Sequence, residues 1–374
     1  MQEFEQKILE QYDIEVSSTR KVRGAVLCET NKGLFLLKEI TTSEKRIPAL
    51  CELYTRLYEQ GYHRIDYVVT NRNGEYISAL DNGDRYILKK CFAGRECDIK
   101  KTREIFEAAG NLAKLHIIMR YELEHGIPEG TKTDEKYRRH NRELKKVRQF
   151  TRKVVPKGEF EFAFLKQFDQ MYQWAEAAVE ELERSDYEKL YAEEMKKFGM
   201  IHGEYNYHNI IMTKEGIATT NFEKFRRDIQ VEDLYYFLRK VLEKSGWKIR
   251  LGDGMLNAYS AIHPLTEGEM EYLKIRLIYP EKFWKTANSY YCTNKAWISV
   301  KNIIKDGDFK IADNNLLKTH FLNVALKHNM ETRKFRPIKI EQRAHIDGFV
   351  SVIDAMTVRQ KYWEECGELL KNAA

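Results

Sequence analysis

Two carboxylates and two carboxamides gathered in one stretch are the residues of this chain best suited to chemistry. They lie in Met200 to Glu223, which reads MIHGEYNYHNIIMTKEGIATTNFE. Its core is His202-Gly203-Glu204, with Asn209 shortly after, and a short apolar run then ends in Asn221-Phe222-Glu223. An acid at the first position orients an acceptor hydroxyl, and an Asn a few residues on holds Mg²⁺. A second acid on a neighbouring strand holds the same ion against phosphates, and together the three groups carry out phosphoryl transfer. Here the hydroxyl-orienting acid is Glu204 where Asp is expected, and the metal carboxylate is replaced by Asn221, which has no charge. Glu223, two residues on, falls on the same face of a regular strand and is placed to supply part of a metal site.

The rest of the chain must position these groups. Residues 2 to 12 read as a short helix, and Val22 to Glu29 with Leu34 to Glu39 read as a hairpin across the turn Thr30-Asn31-Lys32-Gly33. Asn and Gly tolerate the positive φ of such a turn. Lys38, late in the second strand, stands either as a phosphate-binding lysine or as a surface strand residue. No Gly-x-Gly-x-x-Gly loop is present around Arg23-Gly24-Ala25, so backbone cradling of phosphates is looser than such a loop gives. Ile47 to Glu59 has helical spacing of its apolar residues, and Glu44 and Glu52 are candidate partners for Lys38. Runs at Tyr67, Tyr76 and Arg85 complete a sheet of about five strands by period-two patterning. Lys89 to Glu96 (KKCFAGRE), with Gly94, reads as a hinge. Beyond it the pattern is helical to about Lys301, with His116 a packed structural residue and Asp233 a first-turn acid that suits the helix dipole.

Composition narrows the class. At 374 residues with 43% hydrophobic content the chain can bury substantial cores, which excludes a disordered protein. A net charge of +6 is modest for this size and leaves nucleotide, nucleic acid and acidic protein open as partners. The basic run Lys132 to Lys157 reads as a solvated helical face, with anion binding as the alternative. The six cysteines are scattered without a Cys-x-x-Cys pair, which favours reduced buried thiols over a zinc site. No signal-like or membrane-length apolar run occurs, so a cytoplasmic, membrane-free protein is expected.

With these residues laid out, the chain resembles the CotS-type spore coat proteins, a branch of the aminoglycoside phosphotransferase and protein-kinase-like fold. The resemblance is carried by Lys38, Ala93-Gly94-Arg95-Glu96-Cys97-Asp98, His202 to Asn209, Asn221-Phe222-Glu223, Val231-Glu232-Asp233-Leu234 and Tyr279 to Lys285. It implies an α+β bilobal fold: a five-stranded N-lobe over residues 1–92, a helical C-lobe over 93–303 and a helical appendage. By resemblance, Glu204 is the catalytic acid, Lys38, Glu52, Asn209 and Asn221 meet ATP, and Asn209, Asn221 and Glu223 hold Mg²⁺. Glutamate is one methylene longer than the expected aspartate, a misplacement of roughly 1.5 Å, and errors of that order cost about a hundredfold in rate. Loss of the Asn221 charge is the more serious change.

Residues 304–374 depart from that family. Asn314-Asn315-Leu316-Leu317, Asn323 to Lys327 and His345 to Val350 resemble the C-terminal end of a phage terminase large subunit, with Asp347 matching the last of its nuclease carboxylates. The other carboxylates are absent, which implies a fragment without nuclease activity. A helical appendage of the coat protein is the alternative. The resemblances together imply an impaired, pseudokinase-like coat component, made in the mother cell and assembled with other coat proteins. An active ATP-dependent phosphotransferase on a protein or small hydroxyl is the rival reading, and a nucleic-acid partner is the least favoured.

Overall fold

A computed structural model describes residues 3–22, 24–40, 44–292, 324–328 and 335–339. Helix α1 (Glu3–Leu9) precedes strands β1 (Val16–Val22), β2 (Ala25–Thr30) and β3 (Gly33–Glu39). The β2–β3 hairpin closes through Asn31-Lys32, with Thr30 opposite Gly33 and Ala25 opposite Lys38. Gly33 takes a φ of 103°, which a side chain would resist. Helix α2 (Ile47–Glu59) follows, then β4 (Val68–Val69), β5 (Ser78–Ala79) and β6 (Arg85–Lys90). The sheet order is β1-β2-β3-β6-β4, with β5 also on β6, so it has six strands where about five are expected.

Each sheet face has its own cover. Ile8, Leu9 and Tyr12 of the α1 segment pack on Val26, Cys28, Phe35, Leu37 and Leu88. The opposite face carries Ile87 into the larger core with Leu50, Leu53 and Tyr54 of α2. Because side chains alternate across a strand and Leu36 pairs with Lys89 while Lys38 pairs with Ile87, both lysines fall on this second face.

After residues 91–94 the short β7 (Arg95–Glu96) pairs with β9 (Ile210–Thr213), which forms a hairpin with β10 (Gly216–Thr219). Gly94 is required here, since a Cβ would lie 2.5 Å from the Met212 carbonyl oxygen. Helices α3 (Thr102–Ile118), α4 (Thr133–Lys153), α5 (Glu159–Arg184) and α6 (Tyr187–Lys196) lead to β8 (Met200–Ile201), which pairs with β11 (Arg226–Arg227). Helices α7 (Val231–Ser245), α8 (Ile249–Ser260) and α9 (Glu267–Ile278) follow. The C-lobe is therefore helical with short strand pairs holding its loops, a detail that helical periodicity does not signal.

Contacts divide the chain into two compact units. One comprises residues 1–137 with 175–279, and so contains both lobes of the cleft; the other comprises 138–174 with 280–374. In the second unit Leu144 and Val147 of α4, Phe164 and Phe168 of α5 and Ala287 of the helical residues 281–292 form a separate core. The exposed residues of α4 in this unit include Arg138, Arg139, Arg142, Lys145, Lys146, Arg152 and Lys153, so most of the basic run lies on one solvent face.

Beyond residue 303 the expected helical appendage is corrected in part. Among the described residues that segment forms β12 (Val324–His328) and β13 (Phe335–Lys339), an antiparallel pair. Asn314 to Leu317, Asp347 and the other terminase-like residues outside those strands lie outside the described residues.

Packing of α8 on α3 yields a test. A Cβ at Gly254 would lie 2.2 Å from the Phe106 ring. Gly→Ala in a helix ordinarily stabilises by about 1 kcal/mol, but overpacking costs about 1–3 kcal/mol. Gly254→Ala is expected to lower stability in urea denaturation; a rise would show that Phe106 yields freely.

Candidate functional site

The loop between β8 and β9 is held from below by one buried carboxylate. Asp233, in the first turn of α7, accepts the backbone N–H of His202 at 2.6 Å and of Gly203 at 2.9 Å. His116 Nε2 approaches the same carboxylate at 3.4 Å, while its Nδ1 lies 2.8 Å from the Tyr259 hydroxyl. Burial would raise the Asp233 pKa, but His116 and the backbone donors bring it below the usual carboxylate value. Gly203 has φ 80°, and a Cβ there would meet the Lys224 carbonyl oxygen at 2.1 Å. The positive φ and the close approach both exclude a side chain.

His202 is buried and burial lowers its pKa. The neutral ring accepts the Glu204 N–H on Nδ1 at 3.2 Å and donates from Nε2 to the Thr220 carbonyl at 2.9 Å. It thereby ties the 202–209 loop to the strand leading into Asn221. Asn209 donates its amide to the Glu204 carbonyl at 2.9 Å. Asn221, in the left-handed conformation at φ 66°, donates its side-chain amide to Asn209 Oδ1 at 2.8 Å and its backbone N–H to Asp66 Oδ2 at 2.8 Å. An Asn tolerates that φ better than most residues.

Four charged groups close the centre of the cleft. Lys38 Nζ lies 2.9 Å from Glu223 Oε1 and 3.5 Å from Asn221 Oδ1. Lys89 Nζ lies 2.5 Å from Asp66 Oδ2 and 2.9 Å from the same Glu223 oxygen. The Lys89 side chain is 0% exposed, Asp66 5%, Glu223 12% and Lys38 32%. Tyr54 donates its hydroxyl to Asp66 at 3.0 Å, and its ring lies 6.0 Å from the Lys89 ammonium. Burial opposes the charge on Lys89, but Asp66 and Glu223 outweigh it and raise its pKa, so it stays protonated. Burial likewise opposes the charge on Glu223, yet Lys89 and Lys38 pull it well below the usual carboxylate range. Burial holds Asp66 above its ordinary value against the pull of Lys89.

The structure thus brings Lys38, Asn209, Asn221 and Glu223 together and leaves Glu52 apart. Glu52 accepts the backbone N–H groups of Glu124 and His125 at 2.9 and 3.2 Å and the His125 ring at 2.9 Å. Helical spacing explains this correction: the face of α2 that meets the sheet carries Cys51 and Tyr54, and Glu52 lies off it. Glu44 pairs with Arg85. Glu204 is one-third exposed and pairs with Lys224 at 2.9 Å. Asp66 and Lys89 are not singled out in the sequence, and Asp233, read there as a first-turn acid, proves to be the acceptor of the His202 and Gly203 N–H groups. Extending the Arg85 strand to Lys90 would have placed Lys89 beside Ile87 on the inner face, the only signal available for it.

The donor set does not fit a Mg²⁺ ion. Asn209 Oδ1 is taken by the Asn221 amide, Asn221 Oδ1 lies 3.5 Å from Lys38, Asp66 Oδ1 accepts the Tyr54 hydroxyl, and Asp66 Oδ2 and Glu223 Oε1 are taken by Lys89. Among the described residues no group of three or more His, Cys, Asp or Glu is placed to hold a metal. A separate cavity of about 950 Å³ runs beside residues 92–95 with Lys101 and Met212 in its wall, and none of the four converging residues lines it.

A small antiparallel sheet covered by α1 on one face and α2 on the other, a hinge, a helical lobe and a loop carrying His202 to Asn209 define a bilobal, kinase-like phosphotransferase fold. The chain belongs to the family described as "Spore coat putative kinase YutH", which its residues 5–308 match. It is similar to spore coat protein S of Bacillus subtilis (strain 168), with 25% identity over 288 residues, covering 75% of this chain and 81% of that protein. Its fold is similar to the aminoglycoside phosphotransferase from Alicyclobacillus acidocaldarius subsp. acidocaldarius DSM 446, with a TM-score of 0.69 and 17% identity over 76% of this chain and 86% of that one. AMP-bound spectinomycin phosphotransferase gives a TM-score of 0.53 at 10% identity, over 76% and 93% of the two chains. No described helix is long and apolar enough to cross a membrane.

The Asp233 clamp can be tested by pH. A carboxylate with a depressed folded-state pKa contributes stability that is present above its unfolded value near 4 and is lost as pH falls through the folded value. Asp233→Asn is expected to cost about 2–3 kcal/mol at pH 7, since a buried backbone donor loses an ionised acceptor. The gap from the unmodified protein should narrow below about pH 4 in urea melts; a gap constant with pH would show that the charge is irrelevant.

Proposed function

We propose that this spore coat family member uses its kinase-like cleft as a catalytically impaired nucleotide pocket and acts in the coat as a structural or assembly component. The observation that carries this reading is the state of the metal position: an uncharged Asn221 beside carboxylates already neutralised by lysines. Nucleotide as a ligand is supported by the convergence of Lys38 and Asn209 with Asn221 and by the kinase-like fold. Its partners on this reading are other coat proteins, met after synthesis in the mother-cell cytoplasm.

The resident side chains have defined tasks. Lys38, more exposed than Lys89, meets phosphate oxygens. Asn209 and His202 hold the backbone around Glu204, and Glu204 is available to orient a hydroxyl once released from Lys224. Mg²⁺ would supply charge neutralisation of the phosphates, and the oxygens Asn209 Oδ1, Asp66 Oδ2 and Glu223 Oε1 are already engaged by the Asn221 amide and Lys89. The rival reading, an active ATP-dependent phosphotransferase on a protein or small hydroxyl, is favoured by that retained acid and lysine.

A coupled assay for ADP release separates the two. Turnover by the unmodified protein is expected to stay at background, about a hundredfold or more below ordinary kinase rates of roughly 1–100 s⁻¹. Turnover well above background that disappears in Glu204→Gln would establish Glu204 as the catalytic acid and end the impaired-cleft reading.

A further inference from the structure

Among the described ion pairs, Lys89 combines a lysine side chain of zero exposure with two carboxylates from different segments. Asp66 precedes β4, Glu223 follows β10, and Lys89 rises from the sheet between them. Its ammonium stands 2.5 Å from one carboxylate oxygen and 2.9 Å from the other, so it sits where two acidic oxygens converge. Convergent carboxylates with an amide oxygen nearby are the ligand chemistry of a hard divalent cation, which would sit at about 2.0–2.1 Å from them. The position is already filled by a monovalent cation that cannot dissociate.

We infer that Lys89 is a built-in replacement for the divalent ion of this cleft, and that the cleft takes a nucleotide polyphosphate free of metal. The inference rests on reading the cleft as a nucleotide site. Charge supports it: Lys38 and Lys89 balance Asp66 and Glu223, so an added Mg²⁺ would face two ammonium groups within the same shell. At such distances repulsion between like charges outweighs what remains of the shared carboxylates. Lys38, one-third exposed, is the group that turns from Glu223 toward an incoming phosphate, while Lys89 keeps Glu223 and Asp66 neutralised behind it. The uncharged Asn221 then ceases to be a defect, because with Lys89 in place an Asp there would be a surplus anion.

Two measurements decide it. In calorimetric titration of the unmodified protein, ATP in EDTA should bind within about threefold of its affinity in excess Mg²⁺, or more tightly. A requirement for Mg²⁺, or a gain of about tenfold or more with it, would overturn the inference while leaving the nucleotide reading intact. The second measurement needs no nucleotide. Lys89→Ala opens space for an ion and its waters between Asp66 and Glu223, so Mn²⁺ should raise the melting temperature of that variant by several degrees and leave the unmodified protein unmoved. Recovery of a folded Lys89→Ala chain only when Mn²⁺ is present counts as the same result. An Mn²⁺ response of equal size in both proteins, or none in a folded Lys89→Ala, would overturn the replacement. If ATP binds in neither buffer the nucleotide reading fails, and the Mn²⁺ comparison alone decides whether the ammonium occupies a cation site.

Discussion

A lysine ammonium removed from water requires partners, and the cleft is arranged around meeting that requirement for Lys89. An unpaired buried charge costs several kcal/mol, and a pair offsets this only when further hydrogen bonds satisfy its remaining atoms. Asp66 also receives the Tyr54 hydroxyl and the Asn221 N–H, and Glu223 also receives Lys38. One cation therefore fixes the inner face of the sheet, the covering helix and the loop after β10 in a single geometry. Removing it would leave two carboxylates facing each other in a site from which water is largely excluded.

The same logic operates one layer lower. Asp233 is buried without a lysine or arginine beside it, and it is satisfied by backbone N–H groups and by His116. Those N–H groups belong to the turn at Gly203, which only a glycine can make because the Lys224 carbonyl fills the place of its side chain. The loop that carries Glu204 and Asn209 is thus rigid from beneath.

The altered positions form a consistent set when considered together. An amide at Asn221, a second lysine at 89 and the shared oxygen of Glu223 give a cleft that is neutral without an added ion. The chain's family is one of spore coat proteins with a kinase-like fold.

The sequence by itself determined the bilobal arrangement, since the switch from period-two to helical patterning after Leu88 is local and strong. It also grouped Glu204, Asn209, Asn221 and Glu223 by their spacing on two adjacent loops, whereas Lys38, open there between a phosphate-binding and a surface role, joins Glu223 and Asn221 only through the tertiary structure. It could not assign Lys89 or Asp66. Adjacent lysines at the end of a strand look solvated, and only the pairing of Leu36 with Lys89 in the sheet turns the first of them inward. Nor could it separate Glu52 from Lys38, because a helix places both candidate acids near the sheet and only its rotation selects Tyr54 instead. Asp233 reads as an ordinary first-turn acid until tertiary packing sets two backbone N–H groups against it. Local patterning is written in neighbouring residues, whereas the charge balance of a buried site depends on which distant groups share one small volume.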